Sequence, residues 1–443
     1  MSGAGVRVIG AGLAGCEAAW QLAQSGIPVR LYEMKPIHFS PAHTMAGFAE
    51  MVCSNSLKAD RIDTASGLLK AEMRLFGSLL LEAASHCAVP AGGALAVDRE
   101  RLSAWITAKI EGHPRIEVCR EEVTRLPEDG QPAILATGPL TSGALADALA
   151  ARVGRRALSF YDAAAPIVAA DSIDYDKAFF AARYGHGEAD YLNCPMDKAE
   201  YEAFYEALIH AERAELHRAD ADFRVYEGCM PVEVMAARGP DTIRYGPLRP
   251  VGLRDPRTGH RPWAVVQLRR EDAAGSRYGL VGFQTNLRFP EQKRVFSMIP
   301  GLEHAEFVRY GVMHRNTFLD APRLLDGQLR LRCQPNLRFA GQMTGVEGYV
   351  ESAATGILAA RFLRRELRGA PPLLLPPDTM LGALMGHLGN TEGDYQPMGS
   401  NMGLLPPLES RIKSKRERYE ALSRRAMASL RRTLEDAGEE TVI

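Results

Sequence analysis

The first residues of the chain change from one hydrophobic periodicity to another. The run from Val6 to Ile9 is rich in β-branched residues, which predicts a strand, and a glycine turn follows it. From Leu13 to Gln24, small and apolar residues recur on one side of a helix, and Gly26 ends that pattern. A second strand is predicted from Val29 to Glu33. This order of elements predicts a βαβ unit with parallel strands.

The same patterns predict further elements up to about residue 150 and again near residue 340. Helices are predicted over Gly67–Ala84 and Arg99–Ile110, and strands over Arg115–Cys119 and within Pro132–Pro139. Residues 336–363 return to a strand, a turn and a helix. We expect this late strand to join the first sheet.

Between about residues 155 and 320 the amino-acid composition of the chain changes. Aromatic residues, prolines and glycines become more frequent, and strand-like runs occur at 264–268 and 279–284. We therefore expect an α/β protein whose Rossmann-like dinucleotide-binding domain is split by an inserted α+β domain. The expected divisions are 1–155 for the first part of the nucleotide domain, 156–325 for the inserted substrate domain, 326–370 for the second part, and 371–443 for a proline-rich linker and a basic helical tail. For residues 371–377 a packed extended strap is the alternative to a linker.

Composition sets limits on the function. The 443 residues are 46% hydrophobic and carry a formal net charge of −1. This content supports a sizeable core and two domains, and the balanced charge gives no global field that would attract nucleic acid. No apolar run reaches about eighteen residues, and no charged-then-apolar leader precedes the first strand. We therefore expect a cytoplasmic protein that does not span a membrane.

The seven cysteines are odd in number and include no CxxC pair. A disulfide framework or a metal site is therefore not expected. Reduced thiols that are mostly buried as small hydrophobic groups are the simplest interpretation.

A glycine fingerprint joins the first strand to the first helix. Gly10, Gly12 and Gly15 form GxGxxG, and Glu33 ends the next strand eighteen residues beyond Gly15. Such glycines allow a tight turn, close approach to a pyrophosphate and close helix–strand packing. The helix N-terminus favours phosphate, while a carboxylate at the strand end accepts hydrogen bonds from ribose hydroxyls. The residues expected to bind the dinucleotide here are Gly10, Ala11, Gly12, Leu13, Ala14, Gly15 and Glu33.

Two later motifs favour FAD over NAD as the bound dinucleotide. The turn at Thr137 and Gly138 resembles the second nucleotide-proximal turn of flavoproteins with two dinucleotide-binding units. The unit FAGQMTGVEGYVESAATG brings another strand end and helix start towards the same crevice. Its Gly341, Gly345 and Gly348 permit close backbone approach to a flavin ring or phosphate. We therefore predict a Rossmann-like FAD-binding domain.

Two cysteines stand out by their surroundings. Cys53 lies in the loop-like run CSNS, and Cys229 follows Gly228 and precedes Pro231 by two residues. A thiol of ordinary pKa is only a few per cent ionised at neutral pH, and a helix N-terminus or an arginine could raise that fraction. From the residues alone, both an inert and a catalytic role stay open.

Nearly the whole chain also resembles one known family. The runs IGAGLAGCEAAWQLA, PAHTMAGFAEMVCSNSLK, EGCMPVEVMAARG, RYGPLRPVGL and FAGQMTGVEGYVESAATGILAA are similar to those of the folate- and FAD-dependent tRNA (uracil-54-C5) methyltransferases, TrmFO. The motifs of the middle domain distinguish this family from its larger relative, which modifies wobble uridines.

The resemblance implies a reaction. Uracil C5 is a weak nucleophile, and a thiolate that adds to C6 makes C5 nucleophilic. 5,10-Methylenetetrahydrofolate would supply the carbon, reduced FAD would supply two electrons to complete a methyl group, and NAD(P)H would regenerate the reduced flavin. The resemblance implies that Cys229 attacks C6, and that Cys53 lies near the flavin and removes a proton or protects an intermediate. For the other five cysteines we keep the buried interpretation.

Several polar residues are candidate contacts for folate or tRNA. His314 could stack on a pterin, with Arg315 or Asn316 at its polar edge, and a purely structural role for the histidine also stays open. A second group lies beside turns and could hold either folate or tRNA: Arg244, Tyr245 and Arg249.

The tRNA itself requires further contacts. The target base lies in a folded loop and would have to be turned out to reach a thiol. Arginines within 244–270 and those from Arg411 to Arg432 are candidates for holding phosphates. A basic run such as the tail from Glu409 is most often a solvated helix face, and an RNA-backbone contact is the alternative.

Two other classes of function remain open from the sequence. One is an NAD(P)H-dependent flavin oxidoreductase that acts on a small molecule or disulfide, although the missing CxxC and the absence of a clear second GxGxxG weaken it. The other is a non-catalytic, flavin-bound RNA-binding protein that uses folate only structurally. Methyl transfer to an unmodified tRNA would separate all three classes.

Overall fold

The computed structural model describes residues 5–40, 42–154, 157–185, 188–214, 230–392 and 395–441. The strands are β1 (Val6–Ile9), β2 (Val29–Tyr32), β3 (Ser56–Ala59), β4 (Ala88–Val89), β5 (Ala94–Val97), β6 (Ile116–Cys119), β7 (Ala133–Leu135), β8 (Ala157–Ala163), β9 (Ile167–Ala169), β10 (Phe179–Phe180), β11 (Leu192–Met196), β12 (Ala264–Arg270), β13 (Arg277–Leu280), β14 (Phe307–Arg309), β15 (Met313–Leu319), β16 (Arg330–Leu331) and β17 (Gln334–Phe339). The α-helices are α1 (Leu13–Gln24), α2 (Ala65–Leu75), α3 (Leu79–His86), α4 (Arg99–Glu111), α5 (Gly143–Val153), α6 (Lys198–Ile209), α7 (Val232–Ala236), α8 (Thr242–Tyr245), α9 (Phe289–Phe296), α10 (Ala321–Leu324), α11 (Tyr349–Leu367), α12 (Met380–Gly389) and α13 (Lys415–Asp436).

The first sheet combines strands from both ends of the chain, in the order β16-β17-β7-β1-β2-β6. β1 pairs in parallel with β2 and β7, and β17 pairs in parallel with β7, whereas β16 pairs antiparallel with β17. The chain passes from β1 through α1 to β2 on one side and later adds β7 on the other side. β1 therefore stands where the strand order reverses, which is the position that binds ligands in sheets of this kind.

Two helices from distant parts of the sequence pack closely on this sheet. A Cβ built on Gly356 of α11 would lie 2.2 Å from the carbonyl oxygen of Ala14 in α1, so the two backbones are in direct contact. Ala18 and Leu22 of α1 and Ile357 of α11 are fully or almost fully buried in the same core. This packing fixes the N-terminus of α1 at the carboxyl end of β1.

The second sheet has the order β10-β11-β12-β13-β9-β14, and its strand pairs are antiparallel. Its core is separate from the core of the first sheet. In it the ring of Phe283 contacts the rings of Phe204, in α6, and Phe296, in α9. A capping box formed by Asp197 and Glu200 starts α6. These strands all come from the middle of the chain, and the boundaries predicted for the inserted domain stay a prediction.

Two predicted elements differ from the structure. The helix predicted over Gly67–Ala84 is two helices, because Gly77 has a φ of +67° and Ser78 caps α3 by accepting a hydrogen bond from the Leu81 N–H. The strand predicted over 279–284 ends at residue 280, since the chain turns at Gly282, where φ is +79°.

The C-terminal region packs on the first core. Residues 371–377, predicted as a linker, form an extended segment whose Leu373 is buried in that core. The basic helix α13 buries one apolar stripe and exposes most of its arginines on the other side. The buried stripe comprises Leu422, Ala426, Leu430 and Leu434. None of the described helices is long and apolar enough to cross a membrane.

Candidate active site

The three glycines of the GxGxxG motif differ in how much space surrounds each of them. At Gly10 φ is +97°, and an added Cβ would lie 2.6 Å from the carbonyl oxygen of Ala136. At Gly15 a Cβ would lie 1.8 Å from the carbonyl oxygen of Gly10, so the helix packs directly on the turn. At Gly12 a Cβ would meet no atom within 4 Å. Gly10 and Gly15 are therefore needed by the fold, whereas Gly12 leaves open space for a ligand.

Glu33 closes the glycine turn at the end of β2. Its side chain is buried, and its two carboxylate oxygens accept hydrogen bonds from the backbone N–H groups of Ala11, at 2.9 Å, and Lys35, at 3.0 Å. The carboxylate also lines the cleft described next. Glu33 thus holds the turn in place and presents a hydrogen-bond acceptor to a ligand.

A cleft runs along the carboxyl ends of β1, β2 and β7, with about 1120 Å³ of empty space when the part open to solvent is included; we call it the main cleft. Of the residues predicted to bind the dinucleotide, those that line it are Gly10, Gly12, Leu13, Ala14, Glu33, Thr137, Gly138 and Gly341. The N-terminus of α1 is capped by Gly12 without a side-chain hydrogen bond, and its first turn contributes Leu13 and Ala14 to the wall. Helix N–H groups and glycine backbone at this position suit a pyrophosphate.

Four of the predicted residues lie behind the wall. Ala11 is buried and donates to Glu33, and Gly15 packs against Gly10. A Cβ on Gly345 would overlap the Tyr395 hydroxyl at 2.2 Å, and one on Gly348 would overlap Glu351 at 2.2 Å. These glycines are required by tight packing next to the cleft, with φ values of +88° at Gly345 and +119° at Gly348.

Sequence reasoning missed a polar group on the same wall. Lys35 and Glu50 are almost fully buried side chains whose Nζ and Oε2 atoms lie 3.4 Å apart. His43 lies beside them, with Nδ1 2.5 Å from the Ser40 hydroxyl. Burial lowers the pKa of His43, and the nearby Lys35 ammonium lowers it further. These three residues line the main cleft, and no spacing pattern in residues 35–50 marks them as a group.

Cys53 lies between the main cleft and a smaller pocket. Its backbone N–H donates to the hydroxyl of Tyr349 at 2.7 Å, and Tyr349 lines the main cleft. Burial raises the pKa of the Tyr349 hydroxyl. Cys53 itself is half-buried and lines the smaller pocket, which has about 480 Å³ of empty space when the part open to solvent is included. One hydrogen bond therefore connects the backbone of Cys53 to the cleft wall.

The smaller pocket lies between the Cys53 loop and the second sheet, and we call it the seam pocket. Three of its residues carry charge: Arg269, Glu271 and Arg309. Arg269 Nε, in β12, donates to Asn55 Oδ1 of the loop at 2.8 Å. The other residues that line it are Cys53, Ser54, Ala165, Pro166, Ile167, Gly279, Leu280, Val281, Gly282 and Gln284.

Arg309, at the end of β14, ties the Cys53 loop to the second sheet. Its guanidinium donates to the carbonyl oxygens of Val52 at 3.1 Å, Cys53 at 3.2 Å and Ala165 at 3.3 Å. Burial lowers the pKa of Arg309, and the nearby Arg99 guanidinium also lowers it. Glu271 partly compensates, although its own closer partner is Arg99, at 2.9 Å. The position of Cys53 thus depends on a residue 256 positions away in sequence.

Cys229, predicted as the attacking thiol, lies outside the described residues. The described chain resumes at Met230, and the N–H of Val232 donates to the carbonyl oxygen of Gln284 at 2.7 Å. Gln284 lines the seam pocket, so the segment that begins at Met230 is anchored beside that pocket.

The remaining cysteines are only partly as predicted. Cys16, Cys87 and Cys194 are buried, as expected for small hydrophobic groups, and burial raises the pKa of each thiol. Cys119 is half-buried, and the buried interpretation is wrong for Cys333, which is exposed. Within the described part of the chain, no cluster of three metal-ligating His, Cys, Asp or Glu side chains occurs.

The predicted substrate residues either do not line the main cleft or the seam pocket, or have side chains that the structure does not describe. His314, Arg315 and Asn316 are in β15, which pairs antiparallel with β8, and their side chains lie outside what the structure describes. The other three residues are on or next to α8 and are absent from the lining of the main cleft and of the seam pocket: Arg244, Tyr245 and Arg249.

Comparison with known proteins shows which family has this fold. The model of the family described as glucose inhibited division protein A matches residues 5–371. A solved structure of GidA from Aquifex aeolicus superposes with a TM-score of 0.71 and covers 98% of this chain and 74% of its own, at 18% sequence identity. The protein therefore has the Rossmann-type, FAD-binding flavoprotein fold of that family.

Relatives with higher sequence identity indicate more specifically which family the chain belongs to. A protein of Heliobacterium modesticaldum named methylenetetrahydrofolate–tRNA-(uracil-5-)-methyltransferase TrmFO is 58% identical over 96% of this chain and 97% of its own length. Relatives with the same name from Moorella thermoacetica and Lactiplantibacillus plantarum are each 57% identical, over 95% and 96% of this chain and 96% of their own lengths. The chain belongs to the TrmFO family.

Proposed function

We propose that the protein methylates C5 of the uracil at position 54 in the T-loop of tRNA, with methylenetetrahydrofolate as the carbon donor. The observation that carries this proposal is the 58% identity, over 96% of the chain, to a relative named methylenetetrahydrofolate–tRNA-(uracil-5-)-methyltransferase, and position 54 follows from the motif resemblance. The geometry is compatible with it, because a cysteine loop lies one hydrogen bond from the wall of a dinucleotide cleft.

The chain's own residues suit a bound FAD. The N-terminus of α1 and the backbone at Gly12 would hold the pyrophosphate, and Glu33 would accept hydrogen bonds from the ribose. When bound, the flavin would supply the two electrons that complete the methyl group, after reduction by NAD(P)H. The buried Lys35–Glu50 pair and His43 would keep that wall of the cleft polar.

The seam pocket is the proposed place for the turned-out base. A uracil that leaves its loop needs a small polar pocket beside the reactive thiols. Cys229 would add through its sulfur to C6, forming the S–C6 bond and moving the π electrons of C5=C6 towards the carbonyl oxygen at C4. C5 would then form a bond to the methylene carbon supplied by the folate, the bond from that carbon to its carrier nitrogen would break with release of tetrahydrofolate, and a hydride from the reduced flavin would complete the methyl group. Cys53 would take up the C5 proton or protect the intermediate, and release of the Cys229 thiolate would restore the double bond.

Thiol variants test this proposal. Cys229→Ala should abolish methylation of an unmodified tRNA transcript in the presence of methylenetetrahydrofolate and NADPH, while flavin absorbance per protein stays at the wild-type level. Cys333→Ala is the matched control, because that thiol is exposed and lies outside both pockets, and it should methylate normally. S-adenosylmethionine should not replace the folate.

Three results would contradict the proposal in different ways. Normal methylation by Cys229→Ala would remove that cysteine from the mechanism. A wild-type protein that oxidises NADPH without methylating tRNA would favour a flavin oxidoreductase, and one that binds tRNA without turnover would favour a non-catalytic RNA-binding protein.

A further inference from the structure

The surface around α8 carries a cluster of arginines and aromatic rings that neither cleft uses. We call it the arginine–aromatic patch and define it by Arg183, Tyr184, Arg244, Tyr245, Arg249 and Trp263. Tyr184 is 56% exposed and Tyr245 is 66% exposed, which is unusual for large rings in a folded domain. Exposed aromatic rings interleaved with cations are typical of surfaces that bind single-stranded nucleic acid.

Arg244 forms the first half of the patch. Its guanidinium carbon lies 3.8 Å from the centre of the Trp263 ring and 5.3 Å from that of the Tyr245 ring. Its Nε donates to the carbonyl oxygen of Trp263 at 3.0 Å, which fixes the plane of the guanidinium. Three flat groups are therefore held together, and the Tyr245 ring, the most exposed of them, is open to a stacking partner.

Tyr184 forms the second half and is held in a strained conformation. Its φ is +60°, in the left-handed region that is strained for a residue with a side chain and is enriched at functional sites. The ring lies so close to Gly252 that a Cβ there would be 3.0 Å from three ring atoms. Arg249 Nη2 donates to its hydroxyl at 2.9 Å. The surrounding structure thus keeps this ring on the surface.

The two halves are joined to one another and to the second sheet. Arg249 follows Tyr245 through a turn in which the Arg249 N–H donates to the carbonyl oxygen of Gly246 at 3.3 Å. Arg183 donates to the carbonyl oxygens of Arg249 at 2.5 Å and Val251 at 2.9 Å, and its Nε donates to Gln267 Oε1 of β12 at 3.0 Å. The patch is therefore a rigid surface.

The patch also borders the seam pocket. A Cβ on Gly282, which lines that pocket, would lie 2.5 Å from the Cβ of Pro247, so the turn that carries the patch contacts the pocket wall. Arg244 pairs with Asp241 at 3.4 Å, whereas Arg183 and Arg249 donate to uncharged oxygens and form no ion pair with another described residue. The surface next to the seam pocket is therefore cationic.

We propose that the arginine–aromatic patch binds the single-stranded RNA that flanks the target uracil. Bases adjacent to a turned-out nucleotide lose their stacking partners, and the exposed rings of Tyr245 and Tyr184 would replace them. Arg249 and Arg244 would contact the neighbouring phosphates. The inference rests on the proposed function, in which tRNA is the substrate, and it assigns Arg244, Tyr245 and Arg249 to RNA rather than to folate, since they line neither cleft.

The test measures binding and turnover separately. Tyr245→Ala should weaken the binding of an unmodified tRNA transcript roughly tenfold, as expected for one lost base stack. Arg249→Ala should reduce the slope of log affinity against log salt by about 1, as expected for one lost phosphate contact. Both variants should raise the KM for tRNA and leave kcat, the KM for folate and the flavin content unchanged.

Two controls match these variants. Tyr175→Ala removes another exposed tyrosine from the middle of the chain, and Arg30→Ala removes an exposed arginine from β2 of the first sheet. Both should bind tRNA like the wild type. Arg424→Ala tests the competing phosphate site on the basic face of α13. Because Tyr245 is largely exposed, the melting temperature of Tyr245→Ala should also match the wild type, which separates lost binding from misfolding.

Wild-type tRNA affinity in both patch variants would overturn the inference. A raised KM for folate with unchanged tRNA binding would overturn it in favour of a folate site, and a loss confined to Arg424→Ala would move the RNA surface to α13. If the wild type binds tRNA without methylating it while Tyr245→Ala loses that binding, the proposed function fails and the patch stands. If the wild type methylates tRNA and both patch variants bind and methylate tRNA like the wild type, the proposed function stands and the inference about the patch fails.

Discussion

The main cleft and the seam pocket are adjacent, yet they are built in different ways. The main cleft is shaped largely by backbone, because its glycine turn, the N-terminus of α1 and the ends of parallel strands form much of its wall. The seam pocket is shaped by charged side chains of the second sheet that reach the loop around Cys53.

This difference determines how each site should respond to substitution. The cleft has little tolerance for added atoms, since several glycines in or behind its wall touch other backbone or side-chain atoms. The seam depends on a few hydrogen bonds between residues far apart in sequence. Volume changes should therefore damage the cleft most, and loss of a donor should damage the seam most.

The largest effect is expected at Gly15. Gly15→Ala would place a Cβ 1.8 Å from the carbonyl oxygen of Gly10, where two backbone segments would have to separate. We expect a cost at or above the roughly 1–3 kcal/mol typical of overpacking, together with loss of bound flavin. The measurements are the melting temperature and the flavin absorbance per protein.

Gly12→Ala is the matched control for this prediction. Its φ of −72° suits alanine, and the added Cβ would meet no protein atom within 4 Å. The apo-protein should therefore melt like the wild type, whereas flavin affinity should fall because the methyl group would stand where the pyrophosphate approaches. Equal melting temperatures for the two variants would show that helix–turn packing does not limit stability here.

At the seam, Arg309→Met should have the next largest effect. Three carbonyl oxygens, including those of Val52 and Cys53, would lose a charged donor, which costs about 3 kcal/mol at roughly 1 kcal/mol each. Methylation should fall strongly while flavin content stays normal, because Arg309 does not line the main cleft. Arg309→Lys keeps the charge and should recover part of both losses.

An exposed ion pair between α4 and the second sheet provides the comparison for Arg309. Glu100 pairs with Arg277 of the second sheet at 2.8 Å, but its side chain is 63% exposed. Glu100→Gln should cost less than about 1 kcal/mol, as is usual for exposed ion pairs, and should leave methylation unchanged. If urea unfolding gave equal losses for Glu100→Gln and Arg309→Met, the buried position of Arg309 would not matter.

The contrast between the sites also explains what the sequence could predict. The glycine turn, Glu33 and the strand at β7 follow local rules of spacing, so the fold of the first sheet and most of the cleft wall could be identified from residues close together in sequence. The break at Gly77 was missed because apolar periodicity continues across it, and only the φ of +67° reveals it.

The seam pocket could not be identified in this way. No sequence spacing links Cys53 to Arg269, Glu271 and Arg309. These residues come together only because β12, β13 and β14 belong to one sheet, and that sheet lies against the Cys53 loop. Family resemblance pointed to Cys53 but not to the residues that hold its loop. Long-range contacts of this kind need the fold before they can be recognised.

The smallest effect is expected from His43 in the main cleft, and it should appear only as a dependence on pH. The folded state lowers the pKa of His43 through burial and the nearby Lys35, while the carboxylates of Glu50 and Glu33 oppose that shift. The unfolded chain, with a histidine pKa near 6.5, then binds the proton more readily, so stability is fully present above about pH 6.5 and falls as the pH drops below it. His43→Gln should make the melting temperature of the apo-protein less dependent on pH between about 5 and 7. Arg309→Met, which removes no group that titrates in this range, should keep the wild-type slope, and a parallel slope for His43→Gln would show that another group in the cleft controls it.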